Sequence, residues 1–240
     1  MANIIVNINL DVVGGNGDGS SQADAFSGFR DAYIASAQAV GAGDRLIFEC
    51  RGVGEDTSML DANDTLRFST DGYSFDADSE LIIRSNGPDF PSSLNPNNYT
   101  LVLDDSYIGI ELSNVPQPKL NNIQVKHPST HVAAAPLHVQ TPSAAPDLLT
   151  THHCVIQCEG NATPSGGGII RTGSLTKEMH WDDLGCLYVG RWDIPIYANG
   201  ATGAGFTHNT EKSTYDLLVM PSRLTYGTGI ITPSQFLDCA

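Results

Sequence analysis

Residues 12–26 read VVGGNGDGSSQADAF, and the role of this glycine run decides how the chain starts to fold. The dinucleotide fingerprint G-x-G-x-x-G fails here, because its third glycine would fall on Ser20 or Gln22. A phosphate loop needs a Gly-Lys-Ser/Thr ending, and the run holds no lysine. The calcium nonapeptide G-G-x-G-x-D wants aspartate in sixth place, where Gly19 stands, and no second copy follows to stack on it. An isolated calcium site at Asp11, Asn16 and Asp18 is the one ligand reading that survives. A structural reading absorbs more of the residues. Ser21 with Asp24 three places on has the spacing of a helix N-cap. Phe26, Phe29, Tyr33, Ala37 and Val40 then recur at helical intervals. The expectation is a first strand, a glycine turn, and one amphipathic helix over 25–40, ended by Gly41 and Gly43.

The rest of the chain reads as short strands between turns. Apolar runs stand at 45–50, 80–85, 99–104, 107–112, 122–127, 136–140, 153–159, 168–172, 186–190, 194–198, 215–220 and 228–232. Asn/Pro/Gly/Ser stretches such as SNGPDFPSSLNPNN, SNVPQPKLNN and NATPSGGG separate them and read as loops. Two spacings recur. One series of apolar triplets starts at Ile123, Val155, Leu187 and Leu217, and a second at Ile110, Leu137, Ile169 and Ile196. Interleaved series with a period near ~30 residues imply a solenoid with one strand pair per turn. The earlier steps, from Leu46 to Leu81 and from Leu81 to Ile123, are longer, so the period loosens there. The fold expected is all-β, a parallel β-solenoid. Residues 1–43 form an N-terminal strand, glycine turn and capping helix, and 44–240 form the body. A β-sandwich or jelly roll is the alternative. The helix would cover the exposed first rung, whereas the closing TPSQFLDCA offers no matching cap.

Composition narrows the function classes. The 240 residues carry 27 acidic and 12 basic side chains, a formal charge of −15. Such a surface repels nucleic-acid phosphates and anionic lipid, so neither is expected as a partner. MANIIVNINLD has neither a basic start nor a long apolar run, so no signal peptide is expected. No apolar stretch is long enough to span a membrane. Five cysteines, an odd count, do not suit a disulfide framework; most sit beside apolar residues, as core thiols do.

With the helix and first rung placed, a family likeness emerges. GGNGDGSS followed by AFSGFRDAYIASAQAVGAGDRLIFECRG resembles the opening segment of right-handed parallel β-helix proteins. That segment is frequent among bacteriophage and prophage virion surface proteins, and also among secreted polysaccharide lyases and hydrolases. The likeness is specific over residues 10–52, and IQCEGNAT with GIIRTG resembles the rung-and-turn texture further on. It implies the fold more than the function.

Several constellations carry candidate chemistry. Asp104–Asp105 and Asp182–Asp183 are paired acids of the sort glycosidases use, yet neighbours on a strand point to opposite faces. KEMHWDDLG (177–185) gathers His180, Trp181, Asp182 and Asp183 before a strand, where Trp181 could stack on a sugar and His180 act as a base. His152, His153, Cys154 and Cys158 resemble metal ligands. In an extended strand, however, the two cysteines stand about 13 Å apart at ~3.3 Å per residue, too far for one zinc. They read better as stacked core cysteines. His127, His131 and His138 fall in KHPSTHVAAAPLH, read as a loop. Arg84, Arg171, Arg191 and Arg223 sit near rungs, as outer-face residues paired with acids or as contacts to an acidic sugar. No G-x-S-x-G elbow exists.

The balance of these readings is a non-enzymatic bacteriophage virion protein, most simply a capsid decoration protein. No catalytic residue, cofactor or metal is assigned to it. Its expected partners are the major capsid protein or other virion proteins and further copies of itself, with a surface glycan as an additional ligand. The alternatives are a tailspike-like depolymerase or lyase acting through Asp182, Asp183 or His180, and a carbohydrate-binding adhesive module.

Overall fold

The computed structural model describes residues 2–13, 15–60, 65–68, 71–86, 93–105, 108–129, 131, 134–139, 148–158, 168–172, 178–190, 194–198, 206–217, 225–226 and 235–237. Strands are numbered along the chain. The largest sheet runs β1 (Asn3–Asn9), β3 (Arg45–Arg51), β7 (Glu80–Ser85), β10 (Gln117–Asn121), β13 (Leu148–His152), β16 (Met179–Leu184), β19 (Phe206–Glu211) and β22 (Gln235–Leu237). A second runs β4 (Gly54–Asp56), β8 (Tyr99–Val102), β11 (Gln124–His127), β14 (Val155–Cys158), β17 (Leu187–Gly190) and β20 (Thr214–Leu217). The third runs β5 (Leu66–Arg67), β9 (Ile108–Glu111), β12 (Ala135–Val139), β15 (Gly168–Thr172), β18 (Ile194–Ala198) and β21 (Thr225–Tyr226). A short pair joins β2 (Ala39–Val40) to β6 (Ser74–Phe75).

Every pairing among the described strands is parallel, which excludes the antiparallel sandwich or jelly roll. From β7 onward the chain visits the three sheets in fixed rotation, so each strand pairs with the one three places later. In-register partners of the large sheet include Leu46 with Leu81, Leu81 with Pro118, Leu120 with Thr151, Thr151 with Asp183, and Asp183 with Thr210. These spacings bear out a repeat near ~30 residues. The expected count of two strands per repeat is corrected to three. The strand missed each time belongs to the large sheet: β10, β13, β16 and β19. Leu81 and Ile123 are therefore not successive members of one series, since Leu81 pairs with Pro118 across the large sheet.

The corner between the first and second sheets repeats. Asn122, His153, Gly185 and Lys212 all adopt positive φ, at 54°, 54°, 61° and 55°. Each ends a large-sheet strand and turns the chain so that the next residue, Ile123, Cys154, Cys186 or Ser213, points into the core. The corner rungs are tied to one another: the Cys186 amide donates to Ser213 Oγ at 3.0 Å and the Leu187 amide to the Cys154 carbonyl at 2.8 Å. One apolar core draws on all three sheets, through residues such as Leu46, Leu101, Ile110, Leu120, Ile156 and Ile170.

The N-terminal end departs from expectation. The helix α1 spans only Phe29–Ala35, not 25–40. Phe26 instead bridges Ile8 on β1, and Val40 has joined β2. Backbone pairing with a neighbour won over helical spacing at both ends. Ser21 and Asp24 do make their hydrogen bond, at 3.1 Å, but inside the turn. The true N-cap is Gly28, and the first helical amides are met from afar. Phe29 donates to Asp56 Oδ2 at 2.7 Å and Arg30 to Ser58 Oγ at 3.1 Å. Phe29 stacks on Phe48 at 5.0 Å, and Tyr33 packs against Phe68 and Tyr73, so the helix lies against the core of the first rungs.

The glycine run serves the edge of β1. Asn7 donates to the Gly19 carbonyl, Phe26 to the Asn7 carbonyl and Asn9 to the Phe26 carbonyl, at 2.9 to 3.1 Å. Gly19, at φ +73°, lies so close to the Phe26 ring that a Cβ there would sit 2.5 Å from it. Of the three residues named for calcium, Asp18 accepts from the Ser20 amide at 2.9 Å, while Asn16 and Asp11 donate their backbone amides, to Asp24 Oδ1 at 3.1 Å and to Asn9 Oδ1 at 3.0 Å. The runs at 228–232 and NATPSGGG lie outside the described residues, apart from Gly168.

Candidate functional site

The patch around Trp181 is a strand, not a loop before one. Along β16 Met179, Trp181 and Asp183 are buried, and His180, Asp182 and Leu184 alternate with them on the outer face. Parallel register then stacks like positions from neighbouring rungs. Leu149, Trp181 and His208 form one inner row, and Thr151, Asp183 and Thr210 the next. From the second sheet Tyr188 and Tyr215 stack at 5.0 Å and reach toward the same carboxylate.

Asp183 is the centre of this group. Its Oδ1 accepts from Tyr188 at 3.0 Å and from Thr151 at 3.4 Å. Its Oδ2 accepts from Tyr215 at 2.7 Å and Thr210 at 2.9 Å, with His208 Nε2 at 3.8 Å. The side chains of Asp183 and His208 are wholly shut from solvent. Burial alone would push the Asp183 pKa up. The donors His208 and Tyr215 and the adjoining imidazole outweigh it and hold the carboxyl below its ordinary value. Burial, with Asp183 beside it, pushes the Tyr188 phenol well up. The Trp181 indole lies flat on the His208 ring and donates to Thr151 Oγ1 at 2.8 Å.

The outer face over the same rungs carries a cleft of about 240 Å³ lined by His152, Asp182, Leu184, Asn209 and Glu211, with Asp183 and Thr210 also bordering it although both are buried. Asn209 donates to Asp182 at 2.9 Å, and Lys212 pairs with Glu211 at 3.2 Å. Half-burial, and then the neighbouring His153, lower the His152 pKa, so its imidazole is neutral at neutral pH. His180 stands 3.7 Å from Glu178.

The candidate residues thus divide between inside and outside. Asp182 faces out and Asp183 in. Asp104 is buried while Asp105 is exposed. A paired-acid mechanism on one sugar bond needs both carboxylates in one groove, and neither pair offers that. Cys154 and Cys158 are buried free thiols, as are Cys50 and Cys186. Cys154 and Cys186 stack at the corner, with the Cys154 amide 3.3 Å from Cys186 Sγ. His127 and His138 lie on β11 and β12 rather than in a loop, His127 near Cys158 and His138 near Glu111. Arg84 is ion-paired with Glu49, while the side chains of Arg171, Arg191 and Arg223 lie outside the described residues.

Sequence reasoning missed His208, Thr210, Tyr215 and Thr151 as members of the inner group. The available signal was the step of 27 to 32 residues that aligns Thr151, Asp183 and Thr210. No protein-family model, curated protein or solved structure matches the chain.

Proposed function

We propose that this chain is a non-enzymatic structural protein of a bacteriophage particle. In this reading it is a right-handed parallel β-helix with three strands per turn, decorating the capsid surface. The observation that carries the non-enzymatic part is the division of Asp182 from Asp183. Asp183, whose ionisation is held low, has its side chain sealed in the core, where it ties rungs together. Handedness follows from the strong preference of parallel crossovers for the right-handed path. The virion setting rests on the likeness of residues 10–52 to the opening segment of such proteins. A rigid body with register-locked rungs suits a protein whose task is to present surfaces, each specific contact burying on the order of 1,000 Å².

The test is a count of copies of this chain against the major shell protein, by quantitative mass spectrometry of purified particles. On the order of hundreds of copies, as shell symmetry multiplies a surface protein, supports head decoration. A handful places it in the tail or at a vertex. Absence from particles overturns the virion reading.

A second reading attaches to the cleft of His152, Asp182, Leu184, Asn209 and Glu211. A hollow that sets an imidazole, an amide and two acids around apolar lining on a sheet suits a surface glycan. Glycan-array binding lost on Asp182→Ala without change in folding supports it, and cleavage of a polysaccharide panel would restore the depolymerase.

A further inference from the structure

A second hollow, at the capped end, has a different character. It measures about 260 Å³ and is lined by Arg30, Tyr33 and Ile34 of α1, with Met59 and Asp71. Two of its charges are spent unequally. The Tyr33 hydroxyl donates to Asp71 Oδ2 at 2.8 Å and accepts from the Arg67 amide at 2.8 Å. Asp71 is therefore engaged. Arg30 is not: among the described residues no carboxylate ion-pairs with it, and its buried Nε has no hydrogen-bond partner. Among the described basic side chains Arg45, Arg51, Arg84, Lys119, Lys126 and Lys212 all hold acids, and Arg67 alone joins Arg30 in holding none. In a protein with 27 acidic and 12 basic side chains, an unclaimed guanidinium beside a hollow is a vacancy for a carboxylate from elsewhere.

The surroundings are apolar in the same place. Ile34 is 57% exposed and Leu60, next to Met59, is 41% exposed. Among the described residues all five exposed large hydrophobics, Ile5, Val13, Ile34, Val53 and Leu60, belong to the first 60 positions. Arginine flanked by aliphatic surface is the composition of an interface hot spot.

We propose that this hollow docks a partner-protein segment presenting an aliphatic side chain next to a carboxylate. The aliphatic group sits against Ile34 and Met59, and the carboxylate pairs with Arg30. The proposal stands independently of the particle in which the protein resides.

The test uses the full chain, fluorescently labelled, on an array of octapeptides. These place Asp/Glu, Lys/Arg and Leu/Ile at every relative position. Peptides with adjacent Leu or Ile and Asp or Glu are expected to retain the protein about tenfold over their Lys/Arg counterparts. Arg30→Ala and Ile34→Ser should each erase that preference at unchanged thermal midpoint, and Arg30→Lys should recover part of it. Equal retention of basic and acidic peptides overturns the proposal. So does retention indifferent to both variants, no retention at all, or self-association through Ile34 in light scattering that consumes the same surface.

Discussion

The Trp181 indole and the His208 imidazole lie one rung apart with ring centres 3.9 Å apart and planes within 5°. Register alone brings them together, since Trp181 pairs with His208 across β16 and β19. A buried ring that fills a whole rung and also donates to Thr151 is hard to replace. Trp181→Ala is expected to cost about 4 kcal/mol, and Trp181→Phe, which keeps the stack but drops the donor, about 1–2 kcal/mol. Urea titrations followed by circular dichroism measure both. Equal costs for the two variants would contradict this packing.

Asp183 gives the fold an acid limit. Its pKa in the folded protein is lowered, so its contribution is present above the ordinary carboxylate range and is lost as pH falls through the lowered value. Asp183→Asn should destabilise by about 3 kcal/mol at neutral pH, because four hydroxyl donors then face a neutral amide. It should also flatten stability against pH on the acid side. An unchanged acid slope in the variant would assign the pH dependence to other carboxylates.

The buried cysteines are chemically silent in the native state. Burial pushes the Cys50 and Cys186 thiols well up, which keeps them from the reactive thiolate form. Alkylation at pH 8 should leave Cys50, Cys154, Cys158 and Cys186 unmodified in the folded protein and label all four in denaturant. Peptide mapping after a native pulse is the readout, and rapid labelling of Cys186 would contradict its burial.

Gly52 sits at the first corner with φ +96°, and a Cβ there would lie 2.7 Å from the Leu10 amide nitrogen. Backbone cannot yield as a side chain does. Gly52→Ala should therefore lower stability by about 2 kcal/mol, whereas Gly17→Ala, with positive φ but open space, should cost about half as much. Paired melting curves separate steric clash from backbone strain.

Legibility along the chain followed how apolar each strand is. The strands ELIIRS, GIIRT and IPIYA could be read to the residue, because apolar side chains alternate or run together in them. QPKLN, LLTTH, MHWDDL and FTHNTE could not, and all four belong to the large sheet. Apart from Leu148 and Leu184 their outer positions are polar, and from β13 onward the inner ones include Thr151, Asp183, His208 and Thr210. A core position occupied by a hydrogen-bonded Asp or His carries no hydrophobic signal. The sealed site was hidden for the same reason. Its members come from five strands, and only Asp183 and Trp181 stood out locally. The helix was overextended because Phe26 and Val40 fall on its stripe by spacing while their amides and carbonyls serve other strands.

Segment 19–26, laid along β1, gives the stack a direction. A parallel sheet offers the same hydrogen-bonding pattern at every level, so a bare terminal strand would template another copy without limit. Here the first strand's outward amides and carbonyls at Asn7 and Asn9 are already spoken for. Over Asn7 and Asn9, strand addition at that end is blocked by eight residues of the chain's own making. The stack therefore begins on a strand edge already occupied at Asn7 and Asn9 by the chain's own backbone.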